Sequence, residues 1–296
     1  MLGGGAIGAE MAQAFRQLGS QVTVVEALDR LLSKEEPDAS AVLQRVFAHE
    51  GIEVQTGTKV ESVAKARGGV KLTTSAGSVT ATHLLVAVGR RPSSKGLENL
   101  GLKMSKSGAV EVDLRMRTNV KGIYAAGDVT GRLPFTHAAD EMGRVAGMTA
   151  LSRVPMKFAE KAVPWVTFTD PEVARIGLTE SDAAKTVKGA RVVELPLEEL
   201  DRARTAGRTE GFVKIVVAPK KLTRNLAGGQ VIGATIVAER AGEMMAEVAL
   251  AVRTGMFAGR LAQTSHAYPT WSVGVQQAIA QLFGEYGGRS ARPAKP

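Results

Sequence analysis

The chain contains no cysteine. Structural disulfides, thiolate metal sites and thiol catalysis by its own residues are therefore excluded. Aromatic residues make up only 4% of its 296 positions, too few for a stacking platform on nucleic acid. The net charge of +9 comes from lysines and arginines that are dispersed along the chain. That distribution suits anionic cofactors better than a nucleic-acid stripe. No apolar run approaches the roughly 18 residues that span a bilayer, and no basic segment followed by an apolar one marks a signal peptide. Neither a nucleic-acid nor a membrane partner is expected, and the expected setting is cytoplasmic. The four histidines, His49, His83, His137 and His266, are scattered with no pair at metal-ligand spacing, so no metal site is expected.

What is present is 44% hydrophobic residues and 33 glycines, a globular α/β composition long enough for more than one domain. The glycines are most informative at the start. Gly3, Gly5 and Gly8 form G-x-G-x-x-G, a helical stretch runs on toward Gly19, and the apolar run Val22–Val25 ends in Glu26, 18 residues past Gly8. One glycine allows the tight turn from strand to helix, a second lets a pyrophosphate approach the backbone, and a third lets helix and strand pack closely. The helix N-terminus, with Ala6 and Ile7 in its first turn, then presents N–H groups to the phosphates. Glu26 can accept hydrogen bonds from a ribose diol and repels a 2′-phosphate, so NAD is expected over NADP. Only Met1 and Leu2 precede the glycines, where a strand typically takes about five or six residues. The first strand of the fold is thus largely missing, and the chain is expected to begin inside a domain.

Farther along, Met11, Ala14, Phe15 and Leu18 fall on one helical face and are expected to be buried. Asp38 or Ser40 is placed to cap a helix to about Glu50 with Val42, Leu43, Val46 and Phe47 inward. Ile52–Val54 starts a strand, residues 59–82 read as an antiparallel meander, and His83–Gly89 reads as a buried parallel strand. Gly108–Asp113 and Gly122–Ala126 look like strands, the second running into Gly127-Asp128 and a helix over about Ala138–Leu151. That arrangement puts a carboxylate at the C-terminal end of a sheet, although Gly-Asp alone equally describes an ordinary turn. Beyond Ala162, strands are predicted at Val163–Thr169, Arg191–Leu195, Phe212–Val217 and Val231–Val237. Helices are predicted at Glu180–Lys188, Gly242–Thr254 and Ser272–Phe283, giving an α+β unit. The basic, glycine- and proline-rich residues 287–296 are expected to be disordered.

Four separated stretches, in order, resemble the class I pyridine nucleotide–disulfide oxidoreductases. They are Gly3–Glu26, Val86–Pro92 with its Gly89-Arg90-Arg91-Pro92 exit, Thr118–Asp128, and Pro164–Gly177. The resemblance implies a Rossmann-like NAD-binding domain over 1–91, a second segment of an FAD-binding domain over 92–158 and an α+β dimerisation domain over 159–286. It also implies FAD as a second cofactor, a homodimer, and a small-molecule or disulfide electron acceptor. By the same resemblance Glu10, Val60 and Gly89 match NAD-contacting positions, with Gly127, Asp128, Pro134, Phe135, Thr136 and His137 along the flavin. His137 has an alternative role as a structural histidine. The family's acid/base histidine and its glutamate partner correspond to Tyr268 and Val273 here, so the dyad is absent and Tyr268 is left as the candidate catalytic group. Tyr268 and Pro164–Asp170 lean toward mercuric reductase, but the cysteine pair of mercury chemistry is absent.

A full-length member also opens with an FAD fingerprint and a redox-active cysteine pair, and this chain has neither. Three functions follow as expectations. The first is the C-terminal part of a flavoenzyme passing hydride from NADH to FAD and on to an acceptor. The second is a non-catalytic NAD-binding, dimerising module, and the third is a transhydrogenase-like flavoprotein that uses no redox disulfide.

Overall fold

Leu2 stands at the centre of the first sheet. It bridges Val25 on one side and Val86 on the other, both in parallel. Its N–H donates to Leu85 O, and Gly3 N–H donates to Val25 O, each at 2.9 Å. These bonds belong to a computed structural model that describes residues 1–151, 156–220 and 222–296. Strand β1 (Thr23–Val25) pairs in parallel with β2 (Glu53–Gln55). Helices α1 (Ala6–Gln17) and α2 (Pro37–His49) cover the sheet. Val24, Leu31, Leu43, Phe47 and Ile52 fill the space between them.

Three expectations about this region are corrected. Helix α1 buries Gly8, Ala9, Ala12 and Gln13, whereas Phe15 and Leu18 are 41% and 81% exposed. Both sets have helical spacing. Because α1 lies close on the backbone, small side chains fit the inner face, and Phe15 instead lines an open groove of about 930 Å³ with Met1, Leu72 and Leu84. Second, residues 83–89 form no continuous strand: Val86 makes one isolated bridge, and Val86 and Val88 are largely exposed. A ladder needs partners at successive residues, and Leu2 offers one. Third, neither Asp38 nor Ser40 caps α2. Its N-cap is Glu36 with Pro37 in the first turn, while Ser40 Oγ donates to Leu31 O at 2.6 Å.

The meander forms as a three-stranded antiparallel sheet of β3 (Val60–Ala66), β4 (Gly69–Thr74) and β5 (Gly77–Ala81). The chain then enters a separate compact unit, Gly89–Val163; Met1–Val88 with Pro164–Pro296 make up the other. Gly108–Asp113 and Gly122–Ala126, expected as strands, make only the isolated bridges Met104–Val110 and Arg117–Tyr124. Their backbone groups bond to scattered partners, Val110 N–H to Val129 O and Ala125 N–H to Met116 O, and the segment between them is held by its own side chains. The Asp113 carboxylate accepts from the N–H groups of Arg115 and Arg117, and the Thr118 hydroxyl donates to Val120 O and Ile123 O. Helix α3 (Thr136–Leu151) packs Ala138, Met142 and Val145 against Met116, Phe158 and Val163. Residues 152–155 of the expected 92–158 segment lie outside the described residues.

The rest of the first unit is built on a six-stranded antiparallel sheet. Its strands are β6 (Trp165–Thr167), β7 (Glu172–Gly177), β8 (Arg191–Pro196), β9 (Phe212–Ala218), β10 (Gln230–Ala238) and β11 (Arg292–Pro293), in the order β11-β8-β9-β10-β7-β6. Every residue of β9 is buried. Helices α6 (Ala241–Thr254) and α8 (Val273–Ala280) cover the sheet, and α4 (Glu180–Thr186), α5 (Asp201–Ala206) and α7 (Ala258–Gln263) are shorter. Strands β7 and β11 and helices α5 and α7 were not anticipated. No helix among the described residues is long and apolar enough to cross a membrane.

The tail expected to be disordered is instead ordered. Strand β11 pairs with β8, and Arg292 binds Glu180 and lies 3.5 Å from Glu194. It joins a charge network around Lys214, whose side chain is 2% exposed and lies within 4.0 Å of four carboxylates. Asp38 is nearest at 2.5 Å, then Glu180 at 3.3 Å, Glu194 at 3.5 Å and Glu36 at 3.9 Å. Burial acts to lower the Lys214 pKa, but the bond to Asp38 and the surrounding negative charge prevail and raise it. Burial likewise acts to raise Glu180, yet bonds from Arg292 and the Lys295 N–H, with Lys214 nearby, hold it at about 2 against an ordinary 4.5. Burial pushes Glu36 the other way, upward.

A carboxyl group held below its unfolded value stabilises the fold above that value and loses the contribution as pH falls toward the folded one. Glu180 thus contributes fully at neutral pH and loses its contribution between about 4.5 and about 2, while Glu36 opposes it in part. Arg292→Met is expected to destabilise the fold at pH 7 by roughly 1–3 kcal/mol, the range for hydrogen bonds to charged groups. The difference from wild type should shrink as pH falls through that window. Circular-dichroism melts across pH check this, and a difference independent of pH would count against it.

Candidate nucleotide and flavin sites

In the glycine loop, the three motif glycines carry separate constraints. Gly3 has φ +102°, and a Cβ there would lie 2.5 Å from Ala87 O. A Cβ on Gly8 would lie 2.0 Å from Gly3 O, a contact no side chain tolerates. At Gly5, however, a Cβ would meet nothing within 4 Å, and the φ of −72° suits any residue. Packing therefore accounts for Gly3 and Gly8 but not for Gly5. Gly5, Ala6 and Ile7 are exposed between buried neighbours. No side chain caps α1, and Ala9 N–H to Gly5 O closes its first turn. The amides before that bond point out of the helix start with its positive dipole end, an arrangement that fits a pyrophosphate.

Gly4, which the motif leaves unspecified, is constrained as well: a Cβ would fall 2.6 Å from Leu31 Cδ2. Its N–H donates to Glu26 Oε2 at 2.5 Å, and Glu26 Oε1 accepts from Leu28 N–H at 2.8 Å. The carboxylate is thus fixed beside the loop. Each oxygen retains a lone pair for a hydroxyl.

The other candidates for the nicotinamide side were Glu10, Val60 and Gly89. The Glu10 carboxylate accepts from Phe168 N–H at 2.8 Å, tying α1 to the segment after β6. Gln13, overlooked in the sequence, makes a buried reciprocal pair with the Asp170 backbone, giving to its O and accepting from its N–H, each at 2.8 Å. A polar residue at helical spacing with the buried alanines was the available signal. Val60 opens β3 opposite Thr74. Gly89 has φ +126° with open space around it.

In the Gly89–Val163 unit, Gly127 has φ +79°, and its N–H points to Met142 Sδ at 3.4 Å. Asp128 heads a 3₁₀ turn, Asp128–Thr130, with its carboxylate half exposed and 3.6 Å from Arg90. That ion pair joins two of the motif segments and was not foreseen. Pro134 is exposed, Phe135 is half-buried, and α3 begins at Thr136. The His137 ring, on the exposed side, stacks on Phe135 at 5.5 Å with an interplanar angle of 8°. Asp128 and the start of α3 fit the polar chain and ring end of a flavin. The only dinucleotide fingerprint in the sequence is Gly3–Gly8, so the adenosine half finds no corresponding glycine turn here.

Tyr268 is 70% exposed, and its hydroxyl donates to Asp201 Oδ2 at 2.9 Å. This bond and the Asp201 charge raise the phenol pKa above its ordinary value, making Tyr268 a poorer base still. Val273 is buried at the start of α8. His266, two positions before Tyr268, has its side chain 7% exposed. It is held between Thr264 O at 2.9 Å and the Glu247 carboxylate at 2.9 and 3.1 Å.

The family described as pyridine nucleotide-disulphide oxidoreductase matches residues 1–143, and the dimerisation domain of the same family matches residues 163–279. A dihydrolipoyl dehydrogenase of Thermus scotoductus is 34% identical over 95% of this chain and 61% of its own length. A mercuric reductase of Streptomyces lividans is 36% identical over 96% and 59%. An NAD(P)H dehydrogenase (quinone) of Mycobacterium tuberculosis is 34% identical over 96% and 57%. The crystal structure of LpdA from Mycobacterium tuberculosis superposes with a TM-score of 0.87 at 35% identity, covering 95% of this chain and 60% of that one. The chain spans about three-fifths of the length of these relatives. Two matches from one family, in order and together covering most of the sequence, lead to one conclusion: the chain belongs to the class I pyridine nucleotide–disulfide oxidoreductases, whose members are FAD-dependent and use NAD(P)H.

Proposed function

We propose that this chain is the pyridine-nucleotide-binding and dimer-forming part of a cytoplasmic flavoenzyme that takes hydride from NADH. The observation that carries this reading is the exposed, uncapped turn Gly5-Ala6-Ile7 beside a fixed Glu26. In it, the α1 amides hold the pyrophosphate and Glu26 accepts from the adenosine ribose, disfavouring NADPH by charge. Glu10, Val60 and Gly89 serve the nicotinamide side. Asp128 accepts from the flavin's ribityl hydroxyls. Phe135 and His137 lie along the cofactor, and the start of α3 favours negative charge on its ring. When bound, FAD supplies the two-electron step between nicotinamide and acceptor. Having no second glycine turn, the chain by itself is expected to hold FAD weakly and NADH well. The non-catalytic, NAD-binding alternative shares this second property but predicts no electron transfer when the flavin segment is supplied.

For the acceptor, Tyr268 and Val273 stand where the family resemblance places the pair that serves thiol chemistry. Together with the likeness to the mycobacterial NAD(P)H dehydrogenase (quinone), this favours a quinone-type acceptor over a disulfide. A two-electron acceptor of that kind needs no thiolate to be protonated or released. In this reading Tyr268 stays a neutral phenol, its proton held by Asp201.

Four variants test these assignments. Gly5→Val should leave the melting temperature near wild type yet weaken NADH binding at least about tenfold, by filling the phosphate space. Gly8→Ala should cost about 1–3 kcal/mol or more of stability, as an overpacked contact. Full NADH affinity in a folded Gly5→Val variant, read by nucleotide fluorescence, would remove the pyrophosphate assignment. Glu26→Gln should raise affinity for NADPH relative to NADH, and an unchanged ratio would show that Glu26 does not select the cofactor. In an ultraviolet titration, Asp201→Asn should bring the Tyr268 phenol back down toward its ordinary value of 10.0. Coincident wild-type and variant curves would show that the Tyr268–Asp201 bond does not control the phenol.

A further inference from the structure

The connection between β9 and β10 leaves the sheet and closes on itself. Lys220 N–H donates to Arg224 O, and Arg224 N–H donates to Lys220 O, both at 2.8 Å. Arg224 and Ala227 each hold φ at +47°, a conformation that residues with side chains adopt at a cost. The resulting turn carries Leu222, 97% exposed, and Leu226, 65% exposed. Phe283 is 55% exposed and lies beside the loop's base, where a Cβ on Gly228 would meet its ring at 3.0 Å. The Lys220 ammonium sits over the Phe257 ring at 4.0 Å. From Gly211 to Ala238 the sequence contains no aspartate or glutamate, while Lys220 and Arg224 are basic.

An apolar tip flanked by cations and free of acidic residues has one strongly complementary surface. We propose that this loop docks the protein on an anionic lipid bilayer. Leu222 and Leu226 enter the boundary between headgroups and acyl chains, while Lys220 and Arg224 face the anionic headgroups. The composition that excludes a membrane span does not exclude this contact. Nucleic acid fits the loop less well, since its tip carries no aromatic side chain on which a base could stack. The proposal stands apart from the nucleotide-binding reading. It would also bring the protein to the phase where an apolar acceptor dissolves.

Co-sedimentation of the full chain with vesicles tests it, using phosphatidylcholine alone and phosphatidylcholine mixed with phosphatidylglycerol. The chain is expected to pellet with the anionic vesicles, to be released by added salt, and to stay in solution with the neutral ones. Each cation near such a surface contributes about fivefold in affinity. Lys220→Glu/Arg224→Glu should therefore bind at least roughly tenfold more weakly, and Leu222→Asp/Leu226→Asp should weaken binding comparably. Circular-dichroism melts confirm that both variants fold. Failure of the wild type to pellet, indifference to lipid charge, or wild-type pelleting by both variants overturns the proposal. A changed oligomeric state in either variant on sedimentation velocity assigns the loop to a second copy instead. Binding to polyglutamate with none to vesicles assigns it to an acidic protein. NADH affinity, measured in the same samples, reports on the nucleotide site separately.

Discussion

The constraint on which most of this structure depends is the approach of Gly8 to the Gly3 carbonyl. A methyl group at Gly8 would sit 2.0 Å from that oxygen, so helix α1 can lie where it does only because Gly8 has no side chain. The position of α1 then determines much else. Its inner face must be small, which is why Ala9 and Ala12 are fully buried while Phe15 is displaced to a groove. Its start must point out of the sheet, which exposes the amides at Gly5–Ile7. Its second turn then reaches Phe168 and Asp170 through Glu10 and Gln13. One missing Cβ thus connects a sheet, an exposed helix start and the opening segment of the dimerisation domain.

A second tie is electrostatic. Lys214 lies in the fully buried strand β9, and three of its four carboxylate neighbours are largely buried or partly so. An unpaired ammonium there would be costly to bury, so Asp38, Glu36, Glu180 and Glu194 are needed together. The excess of acids over Lys214 is in turn offset by Arg292 from β11. Glu36 and Asp38 stand at the start of α2, Glu180 starts α4, and Glu194 is in β8. The network therefore holds elements far apart in sequence, and it explains why a glycine- and proline-rich tail is ordered. Composition alone predicts the opposite, because the partner that orders Arg292 is more than a hundred positions away.

That contrast marks what was legible in the residues. Features fixed by local chemistry were readable: the glycine turn, the 59–82 meander with its Gly68-Gly69 and Gly77 turns, and the apolar runs of β9 and β10. The family was readable too, since its motifs are short and well separated. Features fixed by distant partners were not. The inner face of α1 was misassigned because the pattern weighs Phe15 and Leu18 above alanine, whereas close backbone packing selects alanine. The apolar run at 83–89 has the composition of a buried strand, yet Val86 has one bridging residue beside it. The stretches around Val110 and Tyr124 have strand-like residues whose backbone bonds go to scattered partners, Val110 to Val129 and Ala125 to Met116. The Arg90–Asp128 and Tyr268–Asp201 pairs join residues that no spacing rule connects.

The Tyr268–Asp201 pair also bears on the chemistry. A base for thiol exchange must be able to take a proton near neutral pH. Tyr268 is unsuited by its ordinary pKa, and the neighbouring Asp201 moves it further from use. The nearby imidazole does not substitute: His266 has both ring nitrogens engaged, by the Thr264 carbonyl and the Glu247 carboxylate. Its side chain is buried, so reaching a substrate would require breaking both bonds. Both groups near this segment that could act as acid or base are therefore set away from proton abstraction. What remains exposed is a phenol whose proton is held by the Asp201 carboxylate.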